Sequence, residues 1–305
     1  MTTWRGTVLR VGAVASLLLT LGPSPARSQE LEPRLLSNVP VGTNFGILGY
    51  AYSRGNILLD PAIDIDDLDS RIHTLVGAYV RSFSLAGLAS KVDLVVPLAS
   101  GDWTGKVEGR DSARSIAGFG DPRIRLSVTF VGAPALQRED FPSYRQATVV
   151  GASLQVIAPL GQYDPNKLLN LGSNRWTART VLGASKALDR WLLEGYLGAW
   201  VFGRNDSFFG GNTLEQKPLF TAKTHLIRLF DRGRWLALDV GYGLGGRSRI
   251  AGVERDTRIS TFRFGLTFAL PISGGHSVKF SALSAVRLEK GPDFDALGSS
   301  YQYRW

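Results

Sequence analysis

The chain has 305 residues and no cysteine, and its 35 Lys+Arg against 26 Asp+Glu give a formal charge of +9. The lack of thiols excludes a disulfide-stapled fold, a Cys zinc site and a thiol nucleophile. An apolar content of 44% excludes a wholly disordered chain, and 35 Gly beside a single Met favour strands over helices.

Residues 1–28 place Arg5 and Arg10 before an apolar stretch from Val11 to Leu21, followed by Pro and small residues ending at Ala26 and Ser28. That order reads as a secretory signal cut before Gln29. Its apolar core of about 11 residues is short of the ~20 a spanning helix needs. Loss of Arg5, Arg10 and Arg27 with no acid takes the charge from +9 down by three to +6. Residues 29–42 are then a periplasmic N-terminal segment or a plug folded inward, and 43–305 form the main domain.

Beyond Ser28 no apolar run reaches spanning length, so the protein either stays out of lipid or meets it as strands. Backbone groups in hydrocarbon must be paired internally, which makes the second case a closed barrel. Alternation favours it. Ile124, Leu126, Val128 and Phe130 make one face of a strand whose other face carries Arg123, Arg125, Ser127 and Thr129; two arginines on one face call for water. Segments around 92–98, 236–244, 260–270 and 278–287 repeat the pattern, at the length of tilted membrane strands rather than soluble ones. The spacing predicts strands at 43–53, 71–84, 90–100, 120–131, 146–158, 175–187, 191–203, 217–230, 234–246, 257–271, 275–288 and 294–305. Connections at 188–190, 231–233 and 273–275 are tight; those at 54–70, 101–119, 159–174, 204–216 and 247–256 are long and polar. Short turns on one side and long loops on the other belong to outer-membrane barrels. The connection 132–145 is long on the short side, as a periplasmic excursion or as a miscounted strand pair.

Phe130, Trp191, Phe230 and Trp305 at the short-turn rim, with Trp176 and Tyr242 at the other, fit incomplete aromatic girdles; Trp200 and Trp235 have inward parity. Tyr301, Tyr303 and Trp305 alternate at the carboxy-terminus and resemble the signal read by the outer-membrane insertion machinery. Inward parity gives pore-lining candidates Arg123, Arg125, Arg175, Arg179, Lys223, Arg263, Lys279 and Arg287 against Asp93, Glu194 and Asp239. Fixed charges in a confined pore bias which solutes enter. The same residues could instead form an internal network that fills the barrel, since twelve strands lie between the filled and open cases.

Other chemistry finds little support. His73, His225 and His276 lack metal-ligand spacing, and no metal or cofactor is expected. A hydrolase would have to use His73 or His225 with one of many Ser or Asp residues. Gly241-Tyr242-Gly243-Leu244-Gly245-Gly246 matches a dinucleotide string but lies within a strand, where glycine eases curvature. Arg110, Arg114, Arg247 and Arg249 are interspersed with Asp111, Glu254 and Asp256, so nucleic acid is not a partner.

The stretch Asn38-Val39-Pro40-Val41-Gly42-Thr43-Asn44-Phe45 with Gly49-Tyr50-Ala51-Tyr52-Ser53, the segments Gly118-Phe119-Gly120-Asp121-Pro122-Arg123 and Ala158-Pro159-Leu160-Gly161-Gln162-Tyr163-Asp164, and Phe294-Asp295-Ala296-Leu297-Gly298 resemble the bacterial “putative meta-pathway phenol degradation” family, over essentially the whole mature chain. The resemblance implies an outer-membrane transporter-like protein found near genes for aromatic catabolism, taking up aromatic or hydrophobic compounds, with no catalytic motif to carry over. The reading is an all-β, transmembrane, antiparallel up-and-down barrel of about twelve strands in the outer membrane, in contact with lipid, passing an unidentified small solute and not acting as an enzyme. Its rivals are a non-conducting structural or adhesion barrel and, further off, an outer-membrane hydrolase.

Overall fold

Period-two alternation over ten or more residues builds strands with one greasy and one polar face, and in hydrocarbon the backbone of such strands is satisfied only when the sheet closes on itself. The computed structural model describes residues 31–57, 65–107 and 109–305, so the signal segment and its cleavage point lie outside the described residues. The strands are β1 (Asn44–Asn56), β2 (Asp66–Leu85), β3 (Leu88–Val107), β4 (Arg110–Phe119), β5 (Arg123–Pro134), β6 (Thr148–Ile157), β7 (Thr177–Leu188), β8 (Trp191–Phe202), β9 (Asn205–Phe208), β10 (Asn212–Gln216), β11 (Leu219–Leu229), β12 (Trp235–Gly245), β13 (Ser248–Ile250), β14 (Val253–Glu254), β15 (Ile259–Pro271), β16 (His276–Arg287) and β17 (Asp293–Arg304).

Twelve of them close an antiparallel ring in the order β1, β2, β3, β5, β6, β7, β8, β11, β12, β15, β16, β17 and back to β1. The seam runs from Phe45↔Arg304 to Asn56↔Asp293. Each ring strand exposes a large apolar side chain on the outside, from Leu48, Leu75, Leu94 and Leu126 round to Phe264, Phe280 and Leu297. A continuous apolar belt of this kind belongs in lipid. Among the described residues no helix is long and apolar enough to cross a membrane; the crossing elements are strands.

The twelve predicted strands are the twelve of the ring, so 132–145 hides no miscounted pair. It joins β5 to β6 at the end that also holds the tight turns, and it carries a short 3-10 turn at Phe141–Ser143 with Phe141 buried. The turn at Asp231–Gly233 puts Arg232 at φ 60° and Gly233 at φ 74°.

The predicted loop 101–119 is not a loop. β3 continues through it and pairs with β4 from Leu98↔Phe119 to Val107↔Arg110, while the lower part of β3 pairs with β5 from Val95↔Arg123 downward. β4 and β5 are thus one strand broken at Gly120-Asp121-Pro122, where proline has no N–H to give the ladder. The extension escaped notice because polar residues such as Asp102 and Thr104 occupy its exposed face, with little apolar contrast to mark the strand. For the same reason 204–216 and 247–256 contain unpredicted pieces, which form a small sheet in the order β14, β13, β10, β9.

Candidate functional site

Inward faces of the ring strands are polar at mid-height because every second residue there is charged, hydroxylic or amide. Arg125 of β5, 3% exposed, donates from Nε to Asp93 Oδ2 of β3 at 2.9 Å. Its Nη1 reaches Glu32 Oε1 at 2.5 Å, and Arg179 Nη1 of β7 donates to Glu32 Oε2 at 3.1 Å. Lys223 of β11 adds its charge near the same carboxylate. Glu32 is 2% exposed and belongs to the segment that precedes β1, so one carboxylate from outside the ring holds two buried guanidinium groups. Such pairs are tolerated away from water only when charge and hydrogen bonds are both met.

The segment is seated by more than Glu32. Lys91 Nζ of β3 donates to the carbonyls of Leu35 (2.9 Å) and Ser37 (3.0 Å). The backbone N–H of Arg34 donates to Glu194 Oε2 of β8 at 2.6 Å, and Ser185 and Tyr196 hydroxyls donate to the same carboxylate. The Arg34 guanidinium lies 5.7 Å from the Trp235 ring centroid. Leu31 packs where a Cβ on Gly241 or Gly265 would come within 2.9 or 2.8 Å of its methyl groups, and Leu36 similarly abuts Gly151. The glycine string of β12 therefore makes room: Gly241 is a recess for Leu31. Residues 31–37 touch β3, β5, β6, β7, β8, β12 and β15 in this way, and so lie across the interior.

A second polar cluster joins β11, β12 and β15. His225 Nδ1 lies 2.6 Å from Asp239 Oδ1, the Thr267 hydroxyl donates to Asp239 Oδ2 at 3.0 Å, and the Tyr196 ring meets His225 edge-on. His225 is fully buried and its Nε2 has no hydrogen-bond partner.

Of the pore-lining candidates, Arg125, Arg179, Lys223, Lys279, Asp93, Glu194 and Asp239 share this mid-height belt or its border, all buried. Arg175 and Arg263 are equally buried higher up, where Arg175 donates to Gln216 and lies over Phe202, and Arg263 lies over Phe294. Two stand apart. Arg123 is half-buried beside the strand break. Arg287 is exposed and lines a recess of about 500 Å³ at the loop-side rim with Asn56, Asp67 and Asp293. The expectation that Arg123 and Arg125 call for water fails for Arg125, whose solvation is replaced by two carboxylates. Sequence reasoning omitted Lys91, although it shares a strand face with Asp93, and had no periodic signal for Glu32 or Arg34. His73 faces outward, bonded to Tyr50 at 2.7 Å, and His276 meets Tyr301 at the turn-side rim. Tyr301, Tyr303 and Trp305 are exposed on the outer face, with the Tyr303 and Trp305 rings stacked 5.5 Å apart.

Toward the loop end the interior becomes apolar. Ile57, Leu68, Ile72, Trp103, Leu169, Phe208, Leu214 and Phe294 cluster there, and Trp103 Nε1 donates to the carbonyl of Ile57 at 3.1 Å. Loop 158–176 is bolted to the strand break by Asp121, which accepts from the Gly161 N–H (2.8 Å), the Ser173 N–H (2.9 Å) and the Ser173 hydroxyl (2.8 Å).

The family described as “Putative MetA-pathway of phenol degradation” matches residues 61–301. Among solved structures, an outer membrane channel from Pseudomonas putida F1 is similar with TM-score 0.72 and 21% identity, over 88% of this chain and 97% of that one; the two share a fold. Weaker likenesses are the transport unit of the autotransporter AIDA-I from Escherichia coli (TM-score 0.49, 8% identity, 88% of this chain and 92% of that one) and the beta domain of the Bordetella autotransporter BrkA (0.48, 12%, 86% and 99%). No curated protein matches the chain.

Proposed function

We propose a function from one premise: the chain belongs to the family described as “Putative MetA-pathway of phenol degradation”. It is an outer-membrane channel for the passive uptake of small solutes, with aromatic and hydrophobic compounds as the class. It reaches that membrane through a cleaved signal at 1–28, and Tyr301, Tyr303 and Trp305 present it to the insertion machinery.

The observation that carries the reading is the contrast between wall and contents. The wall is a closed backbone ladder, whereas, among the described residues, 31–37 cross the interior on side-chain and single backbone contacts. Contents held so can leave without any strand parting, and the mid-height cations then face the path. Single-channel current in planar bilayers tests this. The full chain passes a small current, and deletion of residues 31–37 raises it severalfold with anions preferred. Absence of current from both forms would overturn the reading.

The packed apolar cluster at the loop end favours one alternative, a non-conducting barrel that works through its loops. That alternative predicts no solute leak from liposomes carrying either form.

A further inference from the structure

Among the described residues, Glu32 is the one carboxylate of the mid-height belt that the ring does not supply. The wall offers it Arg125 at 2.5 Å and Arg179 at 3.1 Å, with Lys223 close by. Arg125 also keeps Asp93 at 2.9 Å, so it stays oriented without Glu32. Arg179 is stacked 5.1 Å from the Trp200 ring centroid, a contact that likewise does not depend on Glu32. Two guanidinium groups fixed by the wall and converging on one carboxylate form a preorganised anion site. The chain fills that site with its own side chain.

We infer that Arg125, Arg179 and Lys223 form a carboxylate-binding cage inside the barrel, and that Glu32 is a tethered stand-in for a small organic carboxylate that displaces it. The inference rests on the channel reading and names the chemistry of its solute. Exchange of one carboxylate for another keeps both guanidinium groups paired throughout, so the cage is never left with uncompensated charge. It also loosens Leu31 and Arg34, whose seats depend on the same short segment. Solute binding and opening of the path then become one event.

Benzoate serves as the probe, with benzyl alcohol as its uncharged counterpart, on the purified full-length chain in detergent. An occupied cage binds added carboxylate with an affinity reduced by the fraction of time it stands empty. Glu32→Ala should therefore bind benzoate about tenfold or more tighter than wild type by calorimetry, with no such gain for benzyl alcohol. Adding Arg179→Ala should abolish the gain. Heat-modifiable gel migration checks that each variant is folded; where Glu32→Ala is not, Glu32→Gln, which keeps an acceptor oxygen but no charge, takes its place. Equal benzoate affinity in wild type and variant, or an equal gain for benzyl alcohol, would overturn the cage. Current measured on the same preparations separates the two readings. Tighter benzoate binding with no current in any variant removes the channel and leaves the cage, whereas current without tighter binding does the reverse.

Discussion

Trp103 at the loop end and Glu32 at mid-height are almost equally hidden, at 1% and 2% exposure, yet they are held in different ways. Trp103 sits among Ile57, Leu68, Ile72 and Phe294, where attraction is spread over many small contacts and tolerates drift. Glu32 is held by two charge-assisted bonds that exist at one geometry. The first region supplies stability. The second, whose charges gain little net energy once desolvation is counted, supplies a defined position.

Truncation distinguishes the regions most strongly. Trp103→Ala should cost about 3–5 kcal/mol of barrel stability, read from urea unfolding in micelles, and should leave protease access to residues 31–37 unchanged. Arg125→Ala strands Asp93 and removes one of the two guanidinium partners of Glu32, and should cost a similar ~3–5 kcal/mol, but it should also expose the inner segment to protease. If both variants expose it equally, the two regions are not separate. Gly241→Val fills the recess for Leu31 and should cost about 1–3 kcal/mol by overpacking. Combined with Leu31→Ala, most of that loss should return, and an unchanged loss in the double variant would show that the two residues do not meet.

The smallest effect lies at the loop tips. Lys217 donates to Glu254 at 2.6 Å and, with Arg247 and Arg249, holds that carboxyl below its ordinary value. A depressed carboxylate adds stability above its unfolded pKa and loses it as pH falls through the folded value. In Lys217→Ala the Glu254 titration, followed by NMR, should move upward while the unfolding midpoint stays put.

The ring was legible because each of its strands repeats one strong contrast, as in Ile124 to Phe130, and because Asp231-Arg232-Gly233 can only be a tight turn. β4 was not legible, since water bathes the tip of its hairpin and removes the contrast that marks a buried face. Parity placed Arg125, Arg179 and Asp93 on the inner face, but their partner was hidden. Glu32 lies in an aperiodic stretch whose contacts reach 93 residues to Arg125 and 147 to Arg179. Glycine gave a faint clue. Gly241 and Gly265 stand on one face of neighbouring strands, and a hollow in a wall implies something to fill it.

The β1–β17 seam bears on how the molecule is made. A hoop whose first and last staves are neighbours is closed only where those two pair, so the chamber around the stretch before Asn44 is complete only with the β1–β17 ladder in place. Inside that chamber Glu32 brings the carboxylate that Arg125 and Arg179 share. Sealing the hoop joins the two ends of the ring, and neutralising its inner charges joins residues that lie 93 and 147 positions apart, so both depend on contacts distant in the sequence.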